Sequence, residues 1–281
     1  MKPTLFLPFI HTYGVMLAVG FYAGWWLAAR RARAENVDPD TIGNLVLISI
    51  VAGVIGSRAV WFLFYRSSSE SWWVFFEVWK GGLVFYGGLI GAVLAGYVYL
   101  RWRGAEIWHV ADLAAPGVAI GQAFGRIGCF LNGCCHGGVA SAAFPIAVSF
   151  PPLRDEMGVP TGAVFRDHAN QGWILDNATA SLPVHPAQLY ASASLFLITA
   201  LLLVATRYKR RHGEILALVF ILNAVSRLGM ELIRRDVPPT AFGLTAGQMG
   251  AAAVLAVGVG LFVWMRRRGK PVAWEAEEAR G

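Results

Sequence analysis

Residues 44–64 read Asn-Leu-Val-Leu-Ile-Ser-Ile-Val-Ala-Gly-Val-Ile-Gly-Ser-Arg-Ala-Val-Trp-Phe-Leu-Phe, an apolar run broken by a single charge, Arg58. At about 1.5 Å of rise per residue such a run covers the roughly 30 Å of hydrocarbon in a bilayer. Six further windows have the same character: Thr12 to Ala29, Leu83 to Leu100, His109 to Leu131, Pro186 to Ala205, Glu214 to Ile233 and Ala246 to Met265. The 281 residues are 56% hydrophobic and only 15% charged, with a mean hydropathy of +0.53. That balance belongs to a multi-pass membrane protein and excludes an ordinary soluble domain. The reading is an all-α fold of seven transmembrane helices in one membrane domain spanning residues 1–281.

Lysine and arginine placement sets the orientation. The loops after spans one, three and five, with the C-terminal tail 266–281, carry twice the basic residues of the opposite side. This places the N-terminus outside, and the C-terminus and tail in the cytoplasm. The first span keeps Arg30, Arg31 and Arg33 behind it like a stop-transfer signal, so it reads as a retained helix rather than a cleaved leader. The net charge of +7 is then a topology signal, and nucleic acid is not a required partner.

The long segment 132–185 falls outside, between spans four and five. It is read as a small outer, periplasmic head insertion with a possible strand over Phe144–Phe150. The loop from Arg66 to Gly82 is rich in aromatics, among them Trp72, Trp73, Phe75, Phe76 and Trp79. Such a loop belongs at headgroup depth as a belt of anchors, with a substrate gate as the alternative. No internal repeat is evident, which argues against an inverted-repeat transporter.

Three spans each hold one arginine near their outer end: Arg58, Arg126 and Arg227. A guanidinium at a helix centre costs about 2.5–3.5 kcal/mol on insertion scales, so three of them call for a use. Counted from the helix ends, all three lie about 7–9 Å below the outer surface, and Tyr86 about 4–5 Å below it. Together they describe a pocket for an anion, most simply a lipid phosphate. Each arginine has a plainer alternative: snorkelling, or pairing with a carboxylate or helix carbonyls. For Arg58 the two readings weigh equally.

Arg227, Glu231 and Arg234 are spaced to share one helix face. A carboxylate between two guanidiniums fixes their orientation and leaves outer donors for a phosphate; a structural ion-pair ladder is the alternative. Arg126 sits in Gly125-Arg126-Ile127-Gly128-Cys129-Phe130-Leu131-Asn132-Gly133, behind Gly117 and Gly121 on a face smooth enough for close helix packing. Tyr86 is bracketed by Gly81-Gly82 and Gly87-Gly88. Cys129, Cys134 and Cys135 with His136 do not match a zinc spacing and contain no Cys-x-x-Cys, so no metal and no other cofactor is expected. A disulfide on the oxidising outer side is open to them.

Taken together these segments resemble the prolipoprotein diacylglyceryl transferase family over nearly the whole chain. The resemblance runs from His11-Thr12-Tyr13-Gly14 through the double-glycine Tyr86 segment and the Gly-Arg-Ile-Gly signature at 125–128. It continues through His185-Pro186-Ala187-Gln188-Leu189-Tyr190 to Arg227, Glu231 and Arg234. It implies a bacterial inner-membrane enzyme of lipoprotein biosynthesis that moves a diacylglyceryl group from phosphatidylglycerol to the lipobox cysteine of preprolipoprotein signal peptides. Glycerol 1-phosphate leaves. By resemblance Arg126 binds the headgroup and Arg227 acts at the reacting phosphate, supported by Asn132, Glu231 and Arg234; Tyr13, Arg58, His185 and Gln188 join the substrate-binding set, and Tyr86 the catalytic one. Some members carry histidine where this chain has Tyr86, and a phenol near pKa 10 is a poor base at neutral pH. Many members carry asparagine where this chain has Cys129. The attacking thiolate would displace the phosphate at a glycerol carbon, with the arginines stabilising the leaving charge and no metal required. A lipid or anion transporter using the same arginines, and a redox or metal protein built on the cysteines, are the alternatives.

Overall fold

The computed structural model describes residues 12–66, 71–78, 81–141, 143–152, 162–231 and 243–272. Among these, each of the seven apolar windows is occupied by one helix: α1 (Thr12–Ala34), α2 (Pro39–Phe64), α3 (Phe85–Trp102), α4 (Ile107–Asn132), α6 (Ala187–Ala205), α7 (Glu214–Glu231) and α8 (Ala246–Arg268). A short helix, α5 (Ala163–Asn170), lies between α4 and α6. Four of them, α1, α2, α6 and α8, are long and apolar enough to cross a membrane. The chain is therefore an all-α membrane protein. Its outward side chains agree: Leu47, Leu63, Val93, Leu197 and Val257 are exposed, as lipid-facing residues must be.

Two compact units divide the chain, one of residues 27–114 and one of residues 1–26 with 115–281. In the first, α2 starts on Asp38, whose carboxylate accepts from Asp40 N, with Pro39 at the first helical position. The backbones of α2 and α3 meet at glycines: a Cβ on Gly56 or Gly87 would overlap the other's carbonyl oxygen. This is the small-residue packing of membrane helices. Among its described residues the aromatic loop forms a 3₁₀ turn, Trp72–Phe76, with Trp72, Trp73 and Phe76 exposed. Phe62 packs edge-on to Phe75, and the Arg66 guanidinium lies over the Phe62 and Trp72 rings. That arrangement suits an interfacial belt.

In the second unit α4 offers a small-residue stripe, Ala115, Ala119 and Ala123, to Leu195, Ile198 and Leu202 of α6 and to Ile215 and Val219 of α7. Gly117 and Gly121 of α4 meet Gly24 and Gly20 of α1, so the smooth face read from the sequence is a helix-packing face. Gly125, its next member, has open space where a Cβ would stand.

α7 and α8 form a hairpin fastened at both ends by buried glutamates. Glu214 opens α7, pairs with Arg266 Nε of α8 at 3.0 Å and accepts from Arg210 N. Glu231 closes it against the start of α8.

Between α4 and α6, Phe150, Val164 and Val184 form a small core with Phe130 and Val148. The expected strand over Phe144–Phe150 is instead a turn, with Ala147 N donating to Phe144 O, followed by one isolated bridge from Val148 to Val184. Pro145 lies inside that turn and has no N–H to give a ladder.

Candidate functional site

The site is built around the end of α4. Asn132 is its last residue and Gly133 follows at φ 65°, the left-handed conformation that ends many helices. Gly133 N donates to Phe130 O and Cys134 N to Cys129 O, both at 3.1 Å, which completes a Schellman cap. Arg126 therefore sits less than two turns below a helix end closed by these two backbone hydrogen bonds.

A small open cleft lies beside it, lined by Gln122 and Arg126 of α4, by Cys135, by Ala187, Ala191, Ser194 and Leu195 of α6, and by Asn223, Ser226, Arg227 and Met230 of α7. Arg126 and Arg227, two of the three arginines expected to form one pocket, both line this cleft, and Arg58 is not among its lining residues. The rest of the polar wall was not legible beforehand: Gln122, Ser194, Asn223 and Ser226 all lie in apolar windows. Ser194 and Ser226 join α6 to α7 with a 2.8 Å hydrogen bond, and Asn223 Nδ2 donates to Val219 O. Only neutral and cationic polar groups are offered by these described lining residues. Such a wall suits an anion with apolar substituents.

Arg227 is aimed by Glu231. Its Nη2 lies 2.8 Å from Glu231 Oε1, one turn on, and the carboxylate is almost fully buried while the arginine side chain stays 40% exposed. The second carboxylate oxygen accepts from Thr245 Oγ1 at 2.8 Å. Thr245 is in turn the N-cap of α8, accepting from Gln248 N within a capping box. The buried charge thus rests at a helix N-terminus, where the dipole favours it. Gly247 leaves room for it, since a Cβ there would overlap Glu231 Oε1. Thr245 was absent from the expected set, although Thr-x-x-Gln before an apolar run is a capping signal. Arg234, expected on the other side of Glu231, lies outside the described residues, as does His11.

The other expected residues take their own places. Gln188 is buried, and its Nε2 donates to Cys134 O at 2.7 Å, fixing the loop beyond the α4 cap. His185 packs against the Phe144 ring, with centroids 4.8 Å apart, and exchanges backbone hydrogen bonds with Gly137 and Gly138. Tyr13, near the start of α1, lies against Gly128, where a Cβ would stand 3.1 Å from Tyr13 Cδ2. Asn132 is the last residue of α4, two places before Cys134. None of these four lines the cleft.

Arg58 and Tyr86 belong to the other unit. Arg58 is buried and each of its five N–H groups meets a main-chain carbonyl. Nε donates to Phe75 O at 3.0 Å, Nη1 to Gly81 O and Gly82 O at 2.6 and 3.3 Å, and Nη2 to Glu77 O at 3.3 Å and to Val74 O. Its face stacks on Trp61 at 4.2 Å. Of the two sequence readings, pairing with carbonyls is the one this geometry supports. Gly81 and Gly82, both at positive φ, shape that cage, and a Cβ on Gly82 would overlap Arg58 Nη1. Tyr86 is the second residue of α3 and its phenol is exposed.

Residues 4–264 match the model of the prolipoprotein diacylglyceryl transferase family. A phosphatidylglycerol–prolipoprotein diacylglyceryl transferase of Chromohalobacter salexigens is 34% identical over 268 residues, covering 92% of this chain and 89% of the relative. The enzyme of the same name from Geobacillus kaustophilus is 32% identical over 262 residues, covering 92% and 90%. That of Clostridium tetani is 29% identical over 265 residues, covering 93% and 97%.

Proposed function

Because this chain belongs to the prolipoprotein diacylglyceryl transferase family, we propose that its arginine-lined cleft holds the phosphate of phosphatidylglycerol during transfer. The protein is a phosphatidylglycerol–prolipoprotein diacylglyceryl transferase: it carries out the first step of lipoprotein maturation, passing the diacylglyceryl group to the lipobox cysteine. Arg126 and Arg227 entering one cleft from different helices is the observation that carries the assignment of the site.

Arg126 takes the headgroup and Arg227 the reacting phosphate. The lipobox sulfur attacks the glycerol carbon bonded to the phosphate oxygen, a C–S bond forms, and the C–O electron pair leaves with the phosphate. The diester monoanion thereby becomes the glycerol 1-phosphate dianion. The added charge develops in a wall already set with cations, which need no reorganisation to receive it. Glu231 holds Arg227 in register, with Arg234 as a further cation for the headgroup. Asn132, Gln188, His185 and Tyr13 support the end of α4 and its loop, Arg58 holds the aromatic turn, and the phenol of Tyr86 helps to orient substrate.

The seven long helices are assigned as spans of the bacterial inner membrane, N-terminus out and tail in, with residues 132–185 as an outer head. The loop arginines and lysines support this orientation. Incubating the purified protein with phosphatidylglycerol and a lipobox peptide should yield a diacylglyceryl thioether by mass spectrometry. Lipid or anion flux across the membrane without a covalent product would overturn the reading.

A further inference from the structure

The cleft wall has a second polar level, to which the chemistry of transfer gives no task. Gln122 stands four residues before Arg126 on α4, and Asn223 four before Arg227 on α7. That spacing returns a helix to the same face one turn along, and all four side chains line the cleft. With α4 and α7 both running outward, each amide lies about 6 Å deeper in the membrane than its arginine. Ser226, between Asn223 and Arg227, adds a hydroxyl that pairs with Ser194 of α6. Polar side chains within apolar spans need partners, since the surrounding hydrocarbon supplies none.

Counting protons shows what this level offers. Asn223 gives one N–H to Val219 O at 3.0 Å and keeps the other. Gln122 is exposed to the cleft, and its carboxamide brings two more donors. Ser194 Oγ lies 2.9 Å from Ala191 O and 2.8 Å from Ser226 Oγ. Turning the Ser194 proton from that carbonyl to Ser226 frees the Ser226 O–H for the cleft. All these groups are neutral, so the lower level suits a neutral acceptor as the upper one suits an anion. The amide oxygens would also accept from a hydroxyl, and depth decides between the two. The acyl chains of a phospholipid run toward the bilayer midplane. With its phosphate at the arginines, its ester carbonyls lie on the deeper side and its head-group hydroxyls on the outer side.

We infer that Gln122, Asn223 and Ser226 hold the ester carbonyls of the diacylglyceryl group, and so select ester-linked over ether-linked lipid. The inference rests on the transferase reading of the cleft. The esters are spectators in that reaction: they stay intact while the C–S bond forms and the C–O bond to phosphate breaks. Their carbonyls are held equally before and during the step, so this contact acts on KM and leaves kcat alone. An ether linkage puts a methylene where the carbonyl stood. A dialkyl lipid would leave the amide donors facing hydrocarbon, which is the costly half of losing a hydrogen bond.

The test uses purified full-length protein in mixed micelles with a lipobox peptide. The lipid is either diacyl phosphatidylglycerol or its dialkyl ether analogue of equal chain length. Thioether formation is followed by mass spectrometry as the mole fraction of lipid is varied. KM for the ether lipid should exceed that for the ester lipid about 10–30-fold, with kcat within about twofold. Gln122→Leu and Asn223→Leu, each eluting and unfolding as the wild type does, should narrow the gap about three- to fivefold by raising KM for the ester lipid.

Equal KM values for the two lipids in the wild type would overturn the inference. So would a gap carried by kcat, or one that both variants leave as wide. In each case thioether from the ester lipid upholds the transferase reading. A gap that instead separates phosphatidylglycerol from an analogue with a propanol head group, and closes in Gln122→Leu, would assign this level to head-group hydroxyls and also overturn the inference. No thioether from either lipid would overturn both.

Discussion

Glu231 reaches Arg227 at 2.8 Å with one carboxylate oxygen and Thr245 at 2.8 Å with the other, so the guanidinium in the cleft is aimed from the first turn of α8. The residue proposed to meet substrate and the residue that positions it are therefore separable by mutation.

Glu231→Gln keeps an acceptor for Thr245 but loses the charge that holds Arg227. Turnover should fall by about 10–100-fold, the usual range for a positioning defect. Thr245→Ala removes both a cap and a carboxylate partner, and should cost about 1 kcal/mol of stability with a smaller loss of turnover. Gly247→Ala drives a Cβ into Glu231 Oε1 and should behave like Glu231→Gln in activity. Wild-type turnover in Gly247→Ala would show that the position of the carboxylate is irrelevant. Thermal unfolding and peptide lipidation measured on the same preparations decide these.

Arg58 separates stability from chemistry. Its five N–H groups serve five carbonyls of the segment Val74–Gly82. Arg58→Ala leaves those acceptors in a buried place at about 1–3 kcal/mol for each that finds no other donor. Arg58→Lys should rescue little, because an ammonium brings three donors and no planar fork. Both variants should unfold at clearly lower temperature, read from tryptophan emission, since Trp61 and Trp72 report on the same turn. Arg227→Ala removes the counter-ion of a buried carboxylate that keeps Thr245 and the α8 N-terminus as partners, so it should lose activity far more than it lowers the unfolding temperature.

The segment between α4 and α6 should be acid-sensitive through His168. The residue is buried, its Nδ1 accepts from Leu182 N at 3.2 Å, and its ring faces His136 and Trp173. Burial, then the neighbouring His136, hold its pKa below the usual histidine value near 6.5. Above that value both folded and unfolded chains carry a neutral ring and nothing changes. As pH falls below it the unfolded chain binds a proton that the folded one refuses, so stability drops with acidification. His168→Phe should flatten that limb in unfolding curves between about pH 7 and 5.

Hydrophobic periodicity and length made the seven long helices legible, because a membrane helix satisfies its own backbone and must be apolar along its whole length. Local end signals stood in the sequence and went unused: Pro39 behind Asp38, and Thr245 three residues before Gln248. What escaped was tertiary. The carbonyls that surround Arg58 come from 16–24 residues away and carry no side-chain signature. α5 was hidden in a segment whose Pro, Gly and Asp content reads as loop. The cysteines were compared with zinc spacings along the chain, whereas a left-handed glycine between Cys129 and Cys134 is what brings them together.

The central claim is that Arg126 and Arg227 act on one phosphate in one cleft. Its most direct measurement is thioether formation from phosphatidylglycerol and a lipobox peptide by Arg126→Ala, Arg227→Ala and the double variant, each first shown to be folded. The account predicts a loss of roughly 10²–10³-fold or more for each single variant, and a double variant far less impaired than the product of the two. Wild-type turnover by Arg227→Ala would contradict it.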